Sequence, residues 1–358
     1  MVTLSVVMPN YNHLNFLEAA INAIVCQTRP PDEIIVVDDA STDESWPLIE
    51  ALAARHPILR AERNIVNLGA IGTMRRGMKI AVGDYVCFSA ADDVVAPDFC
   101  ERVLSLLEQY PNAGLCSTLS ATIDADNRFR GVFRSPIVSS KPVYLPPEQA
   151  RRLLLHHDSW CMGNVTIYRR QALIDAGGFA EELGSFTDGF ICRVLASRHG
   201  ACFIPALLGA WRRMEDGYSS AQGRNIAWQL SIIPVVEQLV THAFVGVFPP
   251  AYLQRWRGRW RFAAAQIAVR LPENRSATLL TVLEHPNWLD RTLVALLIRC
   301  GQPGTRGLAL YMFLRLRGGD LFTVAMLYLQ NWRLSRDPEF TRYWRQWSEK
   351  QRRTSGPS

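Results

Sequence analysis

The sequence predicts an α/β fold built on a mixed, mainly parallel sheet that is flanked by helices. Two short apolar runs, residues 4–9 and 34–37, have the length and residue types of buried strands, and each ends in a polar loop. Between them, apolar residues recur at helical spacing over residues 14–24. A strand, a helix and a second strand in this order indicate a βαβ unit, whose two strands run parallel.

A third apolar run, within residues 83–93, ends in two adjacent carboxylates, Asp92 and Asp93. This pair therefore follows the carboxyl end of a predicted strand, where open α/β sheets bind their ligands. Two adjacent aspartates there suit a hard divalent cation that holds phosphate oxygens. The alternative is that the pair only caps a following helix, whose entry is expected within residues 94–99.

The first two loops of the predicted sheet carry no glycine-rich phosphate motif. The first loop is Pro9-Asn10-Tyr11-Asn12, and the second begins with Asp38-Asp39. Dinucleotide-binding and P-loop folds are therefore disfavoured. Carboxylates near a nucleotide are useful when one accepts a hydrogen bond from a base imide or a ribose hydroxyl and another reaches phosphate through a metal.

Composition and cysteine usage limit the class of protein. A chain of 358 residues with 48% hydrophobic and 20% charged residues is globular and holds one large domain or two ordinary ones. Its eight cysteines form no CxxC pair and no Cys/His cluster, so we expect neither a zinc site nor disulfide bonds, which fits a reducing cytosol. The N-terminus lacks the basic segment of a signal peptide, and we expect no transmembrane helix because the longest apolar runs are interrupted or too short.

The C-terminal third differs in charge and pattern from the rest. Residues 225–358 carry 18 Lys and Arg against 8 Asp and Glu, whereas residues 1–224 carry 21 against 25. Residues 223–350 predict a helical C-terminal domain of five or six helices, and residues 351–358 a disordered tail. Within this domain, residues 255–261 interleave arginine with tryptophan. This pattern is typical of a structural core with solvated arginines, or of an anionic membrane surface; nucleic acid is disfavoured because no recognition motif accompanies it.

Five stretches together resemble the successive motifs of family 2 glycosyltransferases with the GT-A fold. They are residues 5–12, 27–28, 33–43, 67–69 and 83–93. The resemblance covers about residues 1–220 and implies a GT-A domain over residues 1–222, with a nucleotide-binding part at about 1–112 and an acceptor-binding part at about 113–222. It also implies a hexosyl-type transferase that inverts the anomeric centre and uses Mn²⁺ or Mg²⁺.

The resemblance implies roles for five residues on the donor side. Pro9 would give a backbone contact, Tyr11 would lie against the base, and Asp39 would accept from the base or ribose. Asp92 would face the ribose or the water shell of the metal. Asp93 would bind the cation that bridges the diphosphate.

Three positions depart from the family pattern. Ala90 stands where many members have a further acid, Met74 stands where an arginine is usual, and Met214 replaces a histidine. Because Met74 lacks the charge, the neighbouring Arg75 is the candidate for a phosphate contact, with a solvated helix arginine as the alternative. Without the histidine, the cation would be held by fewer groups.

The resemblance implies an acceptor region that contains Gly163, Asn164, Trp211 and Arg212. It places the catalytic base at Asp188, at the opening of a helix. The chemistry asks for one carboxylate there, because the acceptor hydroxyl must lose its proton as it attacks the anomeric carbon. Asp188 could also serve only as a helix cap, and the acidic pair at residues 181 and 182 is the alternative base.

These expectations describe a glycosyltransferase that moves a sugar from a nucleotide diphosphate-sugar, with UDP-sugar expected first, to the hydroxyl of a saccharide or lipid-linked saccharide. Surface polysaccharide or glycoconjugate synthesis, in the cytoplasm or on the inner face of the plasma membrane, is the expected setting. One alternative is a nucleotidyltransferase, which usually carries a glycine-rich, lysine-containing first loop. The other is a non-catalytic scaffold with a degenerate site, which the three departures favour and the retained aspartates disfavour.

Overall fold

The computed structural model of the chain describes residues 1–214, 217–271, 275–317 and 321–354. The strands are β1 (Leu4–Asn10), β2 (Glu33–Asp38), β3 (Leu59–Arg63), β4 (Tyr85–Phe88), β5 (Val94–Val95), β6 (Leu115–Ile123), β7 (Phe129–Val132), β8 (Val143–Leu145), β9 (Thr166–Arg169) and β10 (Ala201–Arg212). The helices that accompany the sheet are α1 (Leu14–Val25), α2 (Ser45–Arg55), α3 (Gly69–Ile80), α4 (Phe99–Gln109), α5 (Pro147–His157), α6 (Arg170–Asp175) and α7 (Thr187–His199). Later in the chain come α8 (Tyr218–Arg224), α9 (Ile226–Gln238), α10 (Tyr252–Ala268), α11 (Arg275–Leu283), α12 (Trp288–Arg299), α13 (Gly301–Arg317), α14 (Leu321–Arg336) and α15 (Pro338–Thr354).

The ten strands form one mixed sheet with the order β3-β2-β1-β4-β9-β6-β10-β5. Six of these eight strands run in one direction, whereas β9 and β5 run antiparallel to their neighbours. Two short strands lie off this path, because β7 pairs with β6 and β8 pairs with β10. The mainly parallel sheet expected from the first βαβ unit is therefore confirmed.

The central strands are apolar because both faces of the sheet are covered. Every residue of β4 is buried, and in β1 the side chains of Val6, Val7 and Met8 have no exposed surface. A parallel sheet with helices on both faces needs such continuous apolar runs. Helix α3 approaches so closely that a Cβ atom at Gly77 would overlap the side chain of Val7. Glycine at this position lets the helix pack against β1.

The chain divides into two compact units: Met1–Met214 with Leu327–Ser358, and Glu215–Met326. The second unit is helical, and its apolar core includes Ala264, Leu279, Val294 and Met312. The expected domain boundaries at 222 and 350 stay a prediction. The compact units differ from these boundaries, because Leu327–Ser358 is grouped with the sheet.

The alternating arginines and tryptophans of residues 255–261 lie on α10. Trp256 is fully buried, and the ring of Trp260 stacks on it at 5.5 Å while its indole nitrogen donates to the Gln229 carbonyl oxygen. Arg259 is buried as well. The structural interpretation of these indoles is therefore confirmed. The expectation that the arginines are all solvated is wrong for Arg259, and the buried indole is not placed to meet lipid.

The last helix, α15, packs on the sheet of the first unit. Trp344 is buried, and its indole nitrogen donates to the Leu207 carbonyl oxygen at 2.9 Å. The backbone N–H of Phe129, in β7, donates to the Ser348 hydroxyl at 3.1 Å. Helix α15 thus supplies an acceptor to an edge strand, whose outward backbone groups would otherwise remain open to other chains.

The structure bears on two further expectations about the C-terminal part. Helix α15 continues to Thr354, so residues 351–354 are helical, and the rest of the expected tail lies outside the described residues. Within the described ranges, none of the helices combines the length and the apolar character that crossing a bilayer requires.

Candidate active site

The sheet topology brings the candidate residues to one edge. Asp39 follows β2, Asp92 and Asp93 follow β4, and Arg212 ends β10. These strands run parallel, so their carboxyl ends meet at the same edge of the sheet. Strand β9 runs the opposite way, and the short 3₁₀ helix Gly163–Val165 immediately before it therefore reaches this edge too.

Asp39 is buried and held by two donors on one oxygen. The Asn64 side-chain amide donates to Oδ1 at 2.6 Å and the Leu68 N–H at 2.8 Å, while Arg76 donates to Asn64 from the other side. Within the described part of the chain Oδ2 has no hydrogen-bond partner, so it is free to accept from a ligand. Tyr11, which follows β1, is 44% exposed.

The loop after β4 does not lead directly into a helix. Val94 and Val95 form β5, which pairs antiparallel with β10, and α4 begins only at Phe99, after Asp98. The helix entry expected within residues 94–99 is confirmed at Phe99, but the alternative in which Asp92 and Asp93 cap this helix is wrong, because Asp98 precedes its first residue. Residues 94–98 separate the two aspartates from the helix, and within this segment β5 pairs with the sheet.

Arg212 holds that loop in place. Its backbone N–H donates to Oδ1 of Asp93 at 2.7 Å, and its Nε donates to the Asp92 carbonyl oxygen at 2.8 Å. The two terminal nitrogens donate to the Asp124 carbonyl oxygen and to the Asn127 side-chain oxygen, at 2.7 and 2.8 Å. The guanidinium also lies over the Phe16 ring, at 4.3 Å from its centroid. Every nitrogen of Arg212 is thus engaged by the protein, which indicates a positioning role.

The two carboxylates of this loop differ in environment. Asp93 is 4% exposed, and burial raises its pKa well above the usual value; the neighbouring Asp92 adds to the rise. The hydrogen bond from the Arg212 N–H and the nearby side-chain amide of Asn164 oppose this rise in pKa by stabilising the ionised form. Asp92 is half-buried, and no described residue donates a hydrogen bond to its carboxylate.

The donor set at this edge suits a cation that the substrate helps to hold. Asp92 and Asp93 offer hard oxygen ligands, and among the residues described no cluster of three or more His, Cys, Asp and Glu side chains forms a closed metal site. Mg²⁺ is commonly held by one or two carboxylates together with substrate phosphates and water. Asp92 and Asp93 fit such a cation, because they are adjacent and the Asp92 carboxylate accepts no hydrogen bond from the described residues.

Asp188 lies in the first turn of α7, half-buried, as expected from the sequence. Its Oδ1 accepts from the N–H of Gly189 at 2.5 Å. Burial raises the pKa of Asp188, and the Gly189 bond and the nearby Arg193 only partly offset this rise. A half-buried carboxylate with a raised pKa is a stronger base than an exposed one.

The turn that contains Gly163 and Asn164 lies between the two acidic sites. A Cβ atom on Gly163 would overlap Oδ2 of Asp188, so the Gly163 backbone lies directly against this carboxylate. The side-chain amide of the next residue, Asn164, lies close enough to Asp93 to lower the pKa of that carboxyl, and it donates to the Ser120 hydroxyl at 3.4 Å. Consecutive residues of one turn therefore contact the candidate metal ligand and the candidate base.

The remaining candidates lie further from these contacts. Arg75 is exposed and lies 3.8 Å from Glu181, whereas Arg76 is engaged by Glu62 and Asn64. Of the two arginines, Arg75 is therefore the one that is free to reach a ligand. The ring of Trp211 packs edge-on against Phe133 at 5.6 Å.

Sequence reasoning missed three residues that shape the site. Asn64 orients Asp39 by donating a hydrogen bond to its carboxylate. Arg193, whose charge lowers the pKa of the proposed base Asp188, is held by Asp158: two of its guanidinium nitrogens lie 3.0 and 2.9 Å from one Asp158 oxygen. Arg193 could have been noticed as a charged residue among the apolar positions of α7. The partners of Asn64 and Asp158 are 25 and 35 residues away, and no local pattern indicates them.

Comparison with known proteins agrees with this geometry. The family model described as glycosyl transferase family 2 matches residues 5–177. The matched residues make up just under half of the chain. An uncharacterized glycosyltransferase of Nostoc sp. is 30% identical over 172 residues, which cover 48% of this chain and 52% of that relative. The match thus spans about half the length of that relative.

Two solved structures share the fold. S. aureus TarS 1-349 in complex with UDP-GlcNAc aligns with a TM-score of 0.56 and 15% identity over 90% of this chain and 92% of that one. The mannosyltransferase PcManGT from Pyrobaculum calidifontis, in complex with GDP-Man and Mn²⁺, aligns with a TM-score of 0.52 and 18% identity over 90% and 88%. The GT-A-like architecture with a helical C-terminal region is therefore confirmed.

Proposed function

We propose that this chain transfers a sugar from a nucleotide diphosphate-sugar to an acceptor hydroxyl with inversion, assisted by a divalent cation. The observation that carries the proposal is the turn at Gly163 and Asn164, which contacts Asp188 on one side and Asp93 on the other. A base and a phosphate-binding acid on either side of one turn are what a displacement at an anomeric carbon needs. The family 2 domain and the nucleotide sugars bound by its structural neighbours support it.

In this mechanism the nucleotide is bound along the edge formed by β1, β2 and β4. Oδ2 of Asp39 accepts a hydrogen bond from the base or ribose, because Asn64 and Leu68 occupy its other oxygen. Tyr11 lies against the base, and the backbone at Pro9 lines the same side. Arg75 reaches toward the diphosphate from α3.

Asp188 takes the proton of the acceptor hydroxyl as that oxygen attacks the anomeric carbon from the face opposite the diphosphate. The fixed contacts with Gly163 and Gly189 restrict its carboxylate to one orientation, which reduces the entropy that must be lost during the reaction. Trp211, which is braced by Phe133, contributes an aromatic surface to the acceptor side.

Asp92 and Asp93 are the residues that would hold Mn²⁺ or Mg²⁺ together with the diphosphate. A bound divalent cation neutralises the negative charge that develops on the leaving diphosphate. Arg212 keeps both aspartates in position through the bonds to the Asp92 carbonyl and the Asp93 carboxylate. Because Met214 stands where the family pattern has a histidine, the cation would be held by fewer groups, and we expect affinity for the free cation to be low and to rise when nucleotide is bound.

The structural neighbours that bind UDP-GlcNAc and GDP-Man support a nucleotide-sugar donor, and a UDP-sugar is the first to test. We assign the acceptor to the saccharides and lipid-linked saccharides of surface polysaccharide or glycoconjugate synthesis, at the inner face of the plasma membrane. The nucleotidyltransferase alternative is disfavoured by the Pro9-Asn10-Tyr11-Asn12 loop. The non-catalytic alternative is disfavoured by the pKa of Asp188, since a decayed site has no reason to keep a desolvated carboxylate.

A thermal shift screen of the purified chain tests the proposal. UDP, GDP, dTDP and CMP are compared with and without Mn²⁺. One diphosphate should raise the melting temperature more in the presence of Mn²⁺ than in its absence, because ligand that binds only the folded state stabilises it by mass action. If no nucleotide shifts the melting temperature under either condition, the proposed function is wrong.

A further inference from the structure

Helix α14 has two faces of different character over residues 327–336. One face contacts the hairpin that contains β7: the buried Asn331 donates to the Ser135 carbonyl oxygen at 3.4 Å, and the Ser335 hydroxyl accepts from the Val132 N–H at 3.4 Å. These contacts, together with those of α15, fix the rotation of the helix about its axis. The face beside these contacts is exposed to solvent.

This exposed face carries large apolar side chains. Tyr328 is 45% exposed, Leu329 56% and Trp332 55%. With Arg333 and Arg336, they span less than half of the helix circumference, because residues four apart lie on one side. We call these five residues the outer face of α14. Single exposed apolar residues are ordinary, whereas a contiguous group with two aromatic rings marks an interaction surface.

The cations of this surface are placed around the aromatic rings. The guanidinium of Arg336 lies 4.4 Å from the centroid of the Trp332 ring, and that of Arg134, from the β7 hairpin, lies 4.9 Å from the Tyr328 ring. Over the described residues, none of Arg134, Arg333 and Arg336 forms an ion pair with a carboxylate. Residues 327–354 as a whole carry more Lys and Arg than Asp and Glu. The surface is thus both apolar and positively charged.

The outer face adjoins the acceptor side of the candidate site. Arg134 follows Phe133 directly, and the Phe133 ring packs against Trp211 at 5.6 Å. Trp211 in turn precedes Arg212, whose bonds hold Asp92 and Asp93. A surface that the outer face binds would therefore lie next to the part of the cleft that receives the acceptor.

We propose that the outer face of α14 binds an anionic phospholipid bilayer and so places the acceptor cleft at the membrane surface. Tryptophan and tyrosine rings prefer the headgroup level, leucine inserts below it, and arginine is attracted by anionic lipid. Arg134 adds a cation from the sheet domain to the same surface. This inference rests on the proposed function, because it assigns the location of the acceptor for that same site.

Cosedimentation with vesicles tests it. The full chain is mixed at low and at high salt with vesicles of phosphatidylcholine alone, or of phosphatidylcholine with about 40 mol% phosphatidylglycerol to give an anionic surface. We expect binding to the anionic vesicles only, and a decrease at high salt because surface charge is screened over about 8 Å at physiological ionic strength. The double variant Leu329→Ser/Trp332→Ser should lower the partition coefficient at least about tenfold, since the burial of two apolar side chains in the bilayer is lost.

A matched control is Trp288→Ser on α12, whose side chain is 75% exposed and lies outside the outer face. It should bind vesicles like the wild type. Wild-type protein that stays in the supernatant with anionic vesicles at low salt would overturn the proposal, and so would a double variant that binds as well as the wild type. A wild-type dimer in sedimentation velocity that the double variant abolishes, without vesicle binding, would assign the face to contact between copies instead.

The same preparations separate this proposal from the proposed function. The double variant and the wild type should show the same thermal shift with nucleotide and Mn²⁺, because the outer face does not contact the nucleotide edge. Loss of vesicle binding with an unchanged nucleotide response is the expected result for the double variant. A nucleotide response in the wild type without vesicle binding would reject the membrane inference alone.

Discussion

The backbone of Gly163 lies against the carboxylate of Asp188, with no room for a side chain between them. Asp188 is at the start of a helix and Gly163 is in the turn before β9, so two separate elements define the position of the proposed base. The same turn continues with Asn164, which contacts Asp93. A change at Gly163 should therefore affect catalysis more than it affects binding of the nucleotide.

Gly163→Ala should lower the turnover number while leaving nucleotide affinity close to that of the wild type. The added methyl group displaces the Asp188 carboxylate, and a shift of about 1 Å can cost about 100-fold in rate. Overpacking should also lower the free energy of unfolding by about 1–3 kcal/mol. Initial rates and isothermal titration with nucleotide measure the two effects separately.

Gly223→Ala is the matched control, because a Cβ atom at Gly223 meets no other atom within 4 Å. This variant should keep wild-type rate and stability. If Gly163→Ala is as active as Gly223→Ala, the close contact with Asp188 does not matter for the reaction.

Arg212→Lys should weaken the response to the divalent cation. Lysine keeps the charge, but it cannot replace the three separate side-chain bonds to Asp92, Asp124 and Asn127. The loop with Asp92 and Asp93 should then be less ordered, and the Mn²⁺ concentration for half-maximal activity should rise about tenfold, as expected when a partner that orients metal ligands is lost. The exposed neighbour Arg213→Lys is the control and should behave like the wild type; equal metal responses in the two variants would contradict the positioning role.

Asp93→Asn should remove the part of nucleotide affinity that depends on Mn²⁺ and abolish turnover. The asparagine oxygen can still accept from the Arg212 N–H, so the fold should be retained. Because burial raises the pKa of Asp93, protons should compete with the cation at higher pH than for exposed aspartates, and Mn²⁺ affinity should increase as the pH rises. Calorimetry at several pH values measures this; full activity of the wild type in EDTA would contradict the metal assignment.

Two kinds of signal in the sequence predicted the residues of the site. The apolar runs indicate parallel strands, and the aspartates that follow them must meet at one edge, so Asp39, Asp92 and Asp93 could be grouped from the sequence alone. Asp188 was predicted from its resemblance to a family motif, and its role as the base stays a prediction. These inferences use residues that are close in sequence or that follow the ends of strands.

The contacts that orient these residues could not be predicted in the same way. The bond between Arg212 and Asp93 joins residues 119 positions apart, and the bond from Trp344 to Leu207 joins residues 137 apart. Neither leaves a periodic signal in the sequence. The short strand β5 was missed because two valines before a helix look like the first residues of that helix. Helix α15 packs on the sheet through the indole of Trp344. The composition of residues 223–350 instead indicates one continuous helical domain.

Asp188→Asn should make the protein more stable at neutral pH. Burial raises the folded-state pKa of Asp188, so its proton-linked stability is fully present below the unfolded-state pKa of about 3.9 and is lost as the pH rises through the folded-state pKa. Asparagine is neutral at every pH and avoids this loss. Melting temperatures should therefore favour the variant at pH 7, and the difference should shrink as the pH falls; the exposed Asp126→Asn should show neither effect.

The identity of the base is the central claim, and the rate of sugar transfer by Asp188→Asn tests it most directly. Nucleoside diphosphate release is measured with the donor found by thermal shift, a saccharide acceptor and Mn²⁺, beside Glu181→Gln and Glu182→Gln as exposed acids in the preceding 3₁₀ helix. We predict that Asp188→Asn lowers the rate by about 10² to 10⁴-fold at unchanged nucleotide affinity, while the two glutamine variants keep the wild-type rate. Transfer by Asp188→Asn at the wild-type rate would contradict the account.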